Sequence, residues 1–141
     1  IVDTASGYLS PTGTVSLNFP KALDGVNYYI VVRHRNSIET WSKSGGEVFA
    51  SGVLNFNFTS AATQAFGNNM ILVAGKYSFY TGDANQDGIV DAGDASLIDN
   101  DAYNFVTGYT STDLNCDGSV DATDAAYADN NASNFVGVVR P

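Results

Sequence analysis

Asp83, Asn85, Asp87, Asp91 and Asp94 occupy positions 1, 3, 5, 9 and 12 of a twelve-residue segment with Gly88 at position 6. The same set returns 30 residues later as Asp113, Asn115, Asp117, Asp121 and Asp124, with Gly118 at position 6. Calcium is a hard cation that takes 6 to 8 oxygens, so a short loop must supply several carboxylates and amides while turning sharply around the ion. The glycines permit that turn, and Ile89 and Ser119, at position 7, can each add a backbone carbonyl. Magnesium suits the pattern less, because it demands tighter octahedral geometry and retains water. The pattern departs from the usual calcium-loop motif in one respect, Asp instead of Glu at position 12. Two such loops predict two calcium ions per chain. Without metal, the carboxylates gathered in each loop repel one another, so the acidic half is expected to fold only with its ions.

Other chemistry is poorly provided for. The chain has one histidine, His34, and one cysteine, Cys116, with no arguable Ser-His-Asp set and no Gly-rich phosphate loop. The reading is therefore non-catalytic. A net charge of −9 disfavours nucleic acid, whose affinity comes from cations meeting phosphates. No stretch has the apolar length of a membrane span. One cysteine makes no internal disulfide, leaving metal as the staple of a small domain. The start at Ile1 without an initiator Met is expected of a processed mature product or a trimmed piece of one, so a secreted, extracellular or cell-surface location is expected.

The elements that must hold the loops divide near Gly82. Residues 1–82 carry a net +1, whereas residues 83–141 hold eleven Asp, no Lys and one Arg, a net of −10. The acidic part is still rich in apolar residues, so it has a core to bury and is not a disordered tail. Behind each loop, the spacing predicts a short amphipathic helix, with Leu97, Ile98, Ala102 and Phe105 on one face and Tyr127, Ala128, Ala132 and Phe135 as their counterparts. Those two faces are expected to pack together, and Ile89-Val90 and Ser119-Val120 to pair between the loops.

Residues 1–81 read as strands and turns. Thr14–Phe19 alternates, Asn27–Arg35 is rich in Tyr, Ile and Val, and Ser51–Thr59, Met70–Ala74 and Tyr77–Tyr80 follow between Pro and Gly breaks. The expectation is an all-β sandwich of Ig-like or Greek-key type over residues 1–81, then a small α domain over 82–141 with two EF-hand-like loop–helix repeats. Trp41 reads as a core plug rather than a platform for a glycan.

Residues 83–141, with both loops ending in Asp and leading directly into a helix, resemble a dockerin type I domain, the calcium-binding duplicated module of secreted bacterial proteins. That resemblance implies a cohesin-like partner, contacted where this chain has Ala92-Gly93, Ala122-Thr123, Asp99-Asn100 and Asp129-Asn130. The segment Tyr28–Ser42 and the Asn-Phe-Val ends of the repeats are also similar to C-terminal regions of large exported bacterial surface proteins. Two functions are expected. One is a structural subunit that assembles with copies of itself into a fibre or surface layer, through Ile1-Val2 or an open sheet edge. The other is an anchoring or adhesion module that binds a cohesin-like receptor or a cell-surface glycan.

Overall fold

The computed structural model describes all 141 residues. Its first half contains six short strands joined only in pairs. Strand β1 (Asn27–Tyr28) pairs with β4 (Glu47–Val48), β2 (Val31–His34) with β3 (Ser37–Trp41), and β5 (Ile71–Val73) with β6 (Lys76–Ser78), all antiparallel. The expected Ig-like sandwich is thus not what forms. Thr14–Phe19 belongs to no strand, and Ser51–Thr59 gives way to three 3-10 turns at Phe58–Ser60, Ala62–Gln64 and Phe66–Asn68. The physical reason is that alternation specifies which side chains share a face and does not supply the opposing face. Val15 and Leu17 remain largely exposed, and the element that sequence reading missed is β3, where Ser37, Ile38, Glu39 and Thr40 are all buried.

The second half contains helices α1 (Ala92–Tyr103) and α2 (Ala122–Ser133), one behind each acidic loop. Asp91 and Asp121 are their N-caps, and each forms a capping box with the Asp three residues on. Such a cap satisfies backbone N–H groups that a helix start leaves unpaired, which is why the helices begin where the loops end. The inward stripe runs Asp94, Ile98, Ala102 in α1 and Asp124, Ala128, Ala132 in α2, one turn apart each time. Leu97, Phe105, Tyr127 and Phe135, expected inside, are exposed. Leu97 and Tyr127 lie one residue around the helix from that stripe. Phe105 and Phe135 lie past the helix ends in the left-handed region, with φ 54° each, which throws their rings outward.

The loops do not pair with each other as expected. Ile89 instead bridges Gly137 and Ser119 bridges Thr107, so each loop pairs with the chain leaving the other loop's helix. Val90 N–H donates to the Val136 carbonyl at 2.9 Å and Val120 N–H to the Val106 carbonyl at 3.0 Å. This crossed pairing locks the repeats together and buries Val90 and Val120 between them.

One core runs across position 82. Val90, Ile98, Leu114, Val120, Ala128 and Val136 pack with Ile38 of β3, which is 0% exposed. Ile38 N–H donates to the Tyr80 carbonyl at 2.9 Å and Gly82 N–H to the Asn36 carbonyl at 2.7 Å, so β3 runs beside the entry to the first loop. A Cβ on Gly82 would stand 2.8 Å from Val90 Cγ1, so only glycine lets the chain pass this close. Across the boundary, Glu39 takes hydrogen bonds from Trp41 Nε1 at 2.7 Å, Arg33 Nε at 2.6 Å and Arg140 Nε at 3.0 Å. Burial alone would raise the Glu39 carboxyl, but the bonds from Trp41, Arg33 and Arg140 outweigh it and hold it below the usual carboxylate range. Trp41 is half-buried, edge-on to Tyr29 with ring centroids 5.8 Å apart.

Candidate metal centre

Each loop is wound by short side-chain-to-backbone bonds that recur with the 30-residue offset. Asn85 Oδ1 accepts from Asp87 N–H at 2.8 Å, and Asp87 Oδ1 accepts from Ile89 N–H at 3.0 Å. In the second loop Asn115 Oδ1 accepts from Asp117 N–H at 2.7 Å and Asp117 Oδ1 from Ser119 N–H at 2.9 Å. Short polar side chains do this readily, because their oxygens reach the backbone two residues ahead. Gly88 and Gly118, with φ 95° and 89°, turn the chain back over the first carboxylate. Gly88 N–H donates to Asp83 Oδ1 at 3.4 Å and Gly118 N–H to Asp113 Oδ2 at 3.2 Å.

The last carboxylate closes each loop from the helix. Asp94 Oδ1 accepts from Asn85 N–H at 3.1 Å and Oδ2 from Asp91 N–H at 3.0 Å. Asp124 Oδ1 accepts from Leu114 N–H at 2.7 Å and Asn115 N–H at 3.0 Å, and its Oδ2 from Asp121 N–H at 3.0 Å. The structure therefore ties positions 1, 3, 5 and 12 of each loop together through the backbone N–H groups between them. Asp91 and Asp121, at position 9, face outward as exposed helix caps, and Ile89 and Ser119 lie at the exposed rim.

Four of the carboxylates are buried: Asp83, Asp94, Asp113 and Asp124. Burying a carboxylate without a cation or a full set of donors is expensive. Asp83 shows the strain. Burial first, and then the charges of Asp94 and Asp87, push its carboxyl above the usual range against a Gly88 N–H bond that lowers it. Asp113 Oδ1 is buried and has no hydrogen-bond partner at all. An all-oxygen donor set with surplus negative charge and an orphaned buried oxygen fits a hard divalent cation. No three acidic, His or Cys side chains stand close enough together to hold a metal ion, and Asn85 and Asn115 turn their Nδ2 groups onto Asp87 and Asp117 at 2.8 Å.

Compared with protein families, the acidic half has a match that spans both loops. Residues 81–131 match the dockerin type I domain. The dockerin match begins two residues before Asp83 and ends inside α2, so residues 136–138, which pair with the first loop, lie beyond it. No curated protein and no solved structure matches the chain.

His34 is exposed, with Nδ1 2.9 Å from Asn36 Oδ1, and Cys116 is exposed on the second loop of the dockerin segment. The contacts that sequence reasoning missed at this site come from the first half. Arg35 and Asn36, at the tip of the β2–β3 hairpin, reach the second loop. The run of charge at Arg33-His34-Arg35 was a signal that this tip leaves its own sheet. Nothing in the sequence indicated where it goes. No helix is long and apolar enough to cross a membrane.

Proposed function

We propose that the chain is a non-catalytic, extracellular anchoring module, stabilised by two calcium ions, whose dockerin segment docks on a cohesin-like receptor. The observation that carries this reading is the dockerin match over both acidic loops, each wound by the same bonds into the same helix start. In this reading Asp83, Asn85, Asp87, the Ile89 carbonyl, Asp91 and Asp94 hold the first ion. Asp113, Asn115, Asp117, Ser119, Asp121 and Asp124 hold the second. Support for the receptor surface is positional. Ala92, Gly93, Asp99 and Asn100 on α1, and Ala122, Thr123, Asp129 and Asn130 on α2, are all exposed, beside the likewise exposed Leu97 and Tyr127. The two helices offer matching faces on opposite repeats. The non-catalytic part of the reading rests on the side-chain inventory, a single His and a single Cys.

The test is titration of the full chain against a panel of type I cohesin domains, with calcium and then with chelator. Binding that requires calcium supports the reading. Failure to bind any cohesin while calcium is still taken up would overturn the receptor and leave the metal.

A specific observation favours a second reading, assembly with copies of this chain. The exposed area is 8675 Å2, where a folded monomer of this mass is expected to expose about 7,000 Å2. The difference, about 1,700 Å2 on one chain, is about twice what one partner buries in a standard interface, roughly 800 Å2. Strand β5 carries Ile71, Leu72 and Val73 all exposed, and its open edge is suited to strand addition. Light scattering of the calcium-loaded chain at rising concentration separates the readings, since a persistent monomer excludes self-assembly.

A further inference from the structure

The two loops share their internal ties apart from an added Leu114 N–H bond to Asp124 Oδ1 in the second, yet they differ in what caps their first residue. In the first loop Gln86, with φ 61°, folds back and its Nε2 donates to the Asp83 carbonyl at 2.5 Å. Its counterpart is Cys116, with φ 63°, whose side chain is too short and too weak a donor to do the same. The Asp113 carbonyl is capped from outside instead, by Arg35 Nη2 at 3.1 Å and Asn36 Nδ2 at 2.8 Å.

The outside cap carries a charge. Arg35 Nη2 lies 3.8 Å from Asp113 Oδ2, with the two side chains 14% and 4% exposed. The guanidinium is held in place from three further sides. Its Nε donates to the Thr110 carbonyl at 2.7 Å, its Nη2 to Cys116 Sγ at 3.3 Å, and it lies 4.1 Å over the Tyr109 ring. Asp83 has no ion pair of this kind. Arg33 and Arg140 share a cavity with Asp83, but both are engaged by Glu39 and their side chains are 67% and 54% exposed, so Glu39 and solvent largely offset their charge there.

We infer that Arg35 makes the second loop the weaker calcium site, because a fixed guanidinium shares the Asp113 carboxylate that the ion needs, while the first loop is capped by a neutral amide. This rests on the reading that both loops hold calcium. A unit charge near a divalent ion, even with water-like screening, lowers affinity by about tenfold. The β2–β3 hairpin, outside the dockerin match, thereby sets the order of loading, with the first loop filling before the second.

The test is calorimetric titration of the full chain with calcium chloride, with D87N and D117N used singly to assign each constant to a loop. The wild-type chain should show two constants about tenfold apart, the weaker lost in D117N. R35Q, which keeps amide donors and removes the charge, should tighten the second loop by about tenfold and leave the first within about twofold, whereas R35K should keep the second weak. Terbium luminescence gives an independent reading, because Tyr109 lines the same cavity as Asp113 and Asp117 and can sensitise an ion in the second loop alone, with Y109F as control. If R35Q loosens the loop, adding C116Q supplies the internal cap that Gln86 gives the first. A second loop that stays unchanged or weakens in R35Q/C116Q overturns the inference and makes Arg35 a structural brace. No uptake at either loop in the wild-type chain refutes the calcium reading, and this inference with it.

Discussion

Ile38→Ala tests whether the first half of the chain and the calcium module share one core. Ile38 is 0% exposed and packs with Val90, Ile98, Leu114, Val120, Ala128 and Val136, all of which lie beyond position 82. The substitution removes three carbons at about 0.8 kcal/mol each and leaves a cavity that the two helices cannot fully close, for a total of roughly 3–4 kcal/mol. For a chain of this size each kcal/mol moves the midpoint by about 4 °C, so Tm should fall by roughly 12–16 °C. Two spectroscopic probes report the two halves separately. The only tryptophan, Trp41, is in β3, and the only α-helices are α1 and α2. Trp fluorescence and far-ultraviolet circular dichroism should show one coincident transition in the calcium-loaded chain, and I38A should shift both equally. Helices that melt at the wild-type temperature while Trp41 melts early would refute the shared core.

Further outcomes follow from the same structure. Chelation should lower the coincident transition as a whole, since a site held at 100 times its dissociation constant contributes about 2.7 kcal/mol and two contribute roughly twice that; differential scanning calorimetry with and without chelator measures it. Asp124→Ala removes a fully buried carboxylate that accepts three backbone N–H bonds, so it should abolish one calcium equivalent and lower stability by about 1–3 kcal/mol even in chelator, read from urea melts. Glu39, whose carboxyl is held below its ordinary value of 4.5, adds stability above that value which is lost as pH falls through the lowered one. In chelator, E39Q should therefore be less stable than the wild-type chain near neutrality, with the gap closing below about pH 4.5; a gap independent of pH would refute it.

The acidic half was largely legible because its information is local. A calcium loop, its turn glycine and its helix cap all lie within twelve residues, and the offset of 30 residues repeats them. Asp94 and Asp124 illustrate this, since one Asp both closes a loop and completes the capping box that opens its helix. What stayed hidden depends on distance along the chain. Ile38 looks like any apolar strand residue, and only the fold shows that it completes a core made 50 to 100 residues later. The crossed pairing of Val90 with Val136 and Val120 with Val106 was invisible for the same reason, because a symmetric repeat is equally compatible with loops that face each other. Thr14–Phe19 shows the opposite failure. Its period is that of a strand, but a strand needs a hydrogen-bonded partner strand, and Thr14–Phe19 joins none of the three sheets. Phe105 and Phe135 completed an apolar stripe on paper, and both helices end before reaching them.

The most direct measurement of the central claim is the number of calcium ions bound per chain, counted by native mass spectrometry on the wild-type chain and on D87N and D117N. The expected result is two ions in the wild-type chain and one in each variant, with the melting temperature of α1 and α2 lowered when both are stripped. One ion or none in the wild-type chain, or a melting temperature of α1 and α2 unchanged after complete removal of calcium, would contradict it.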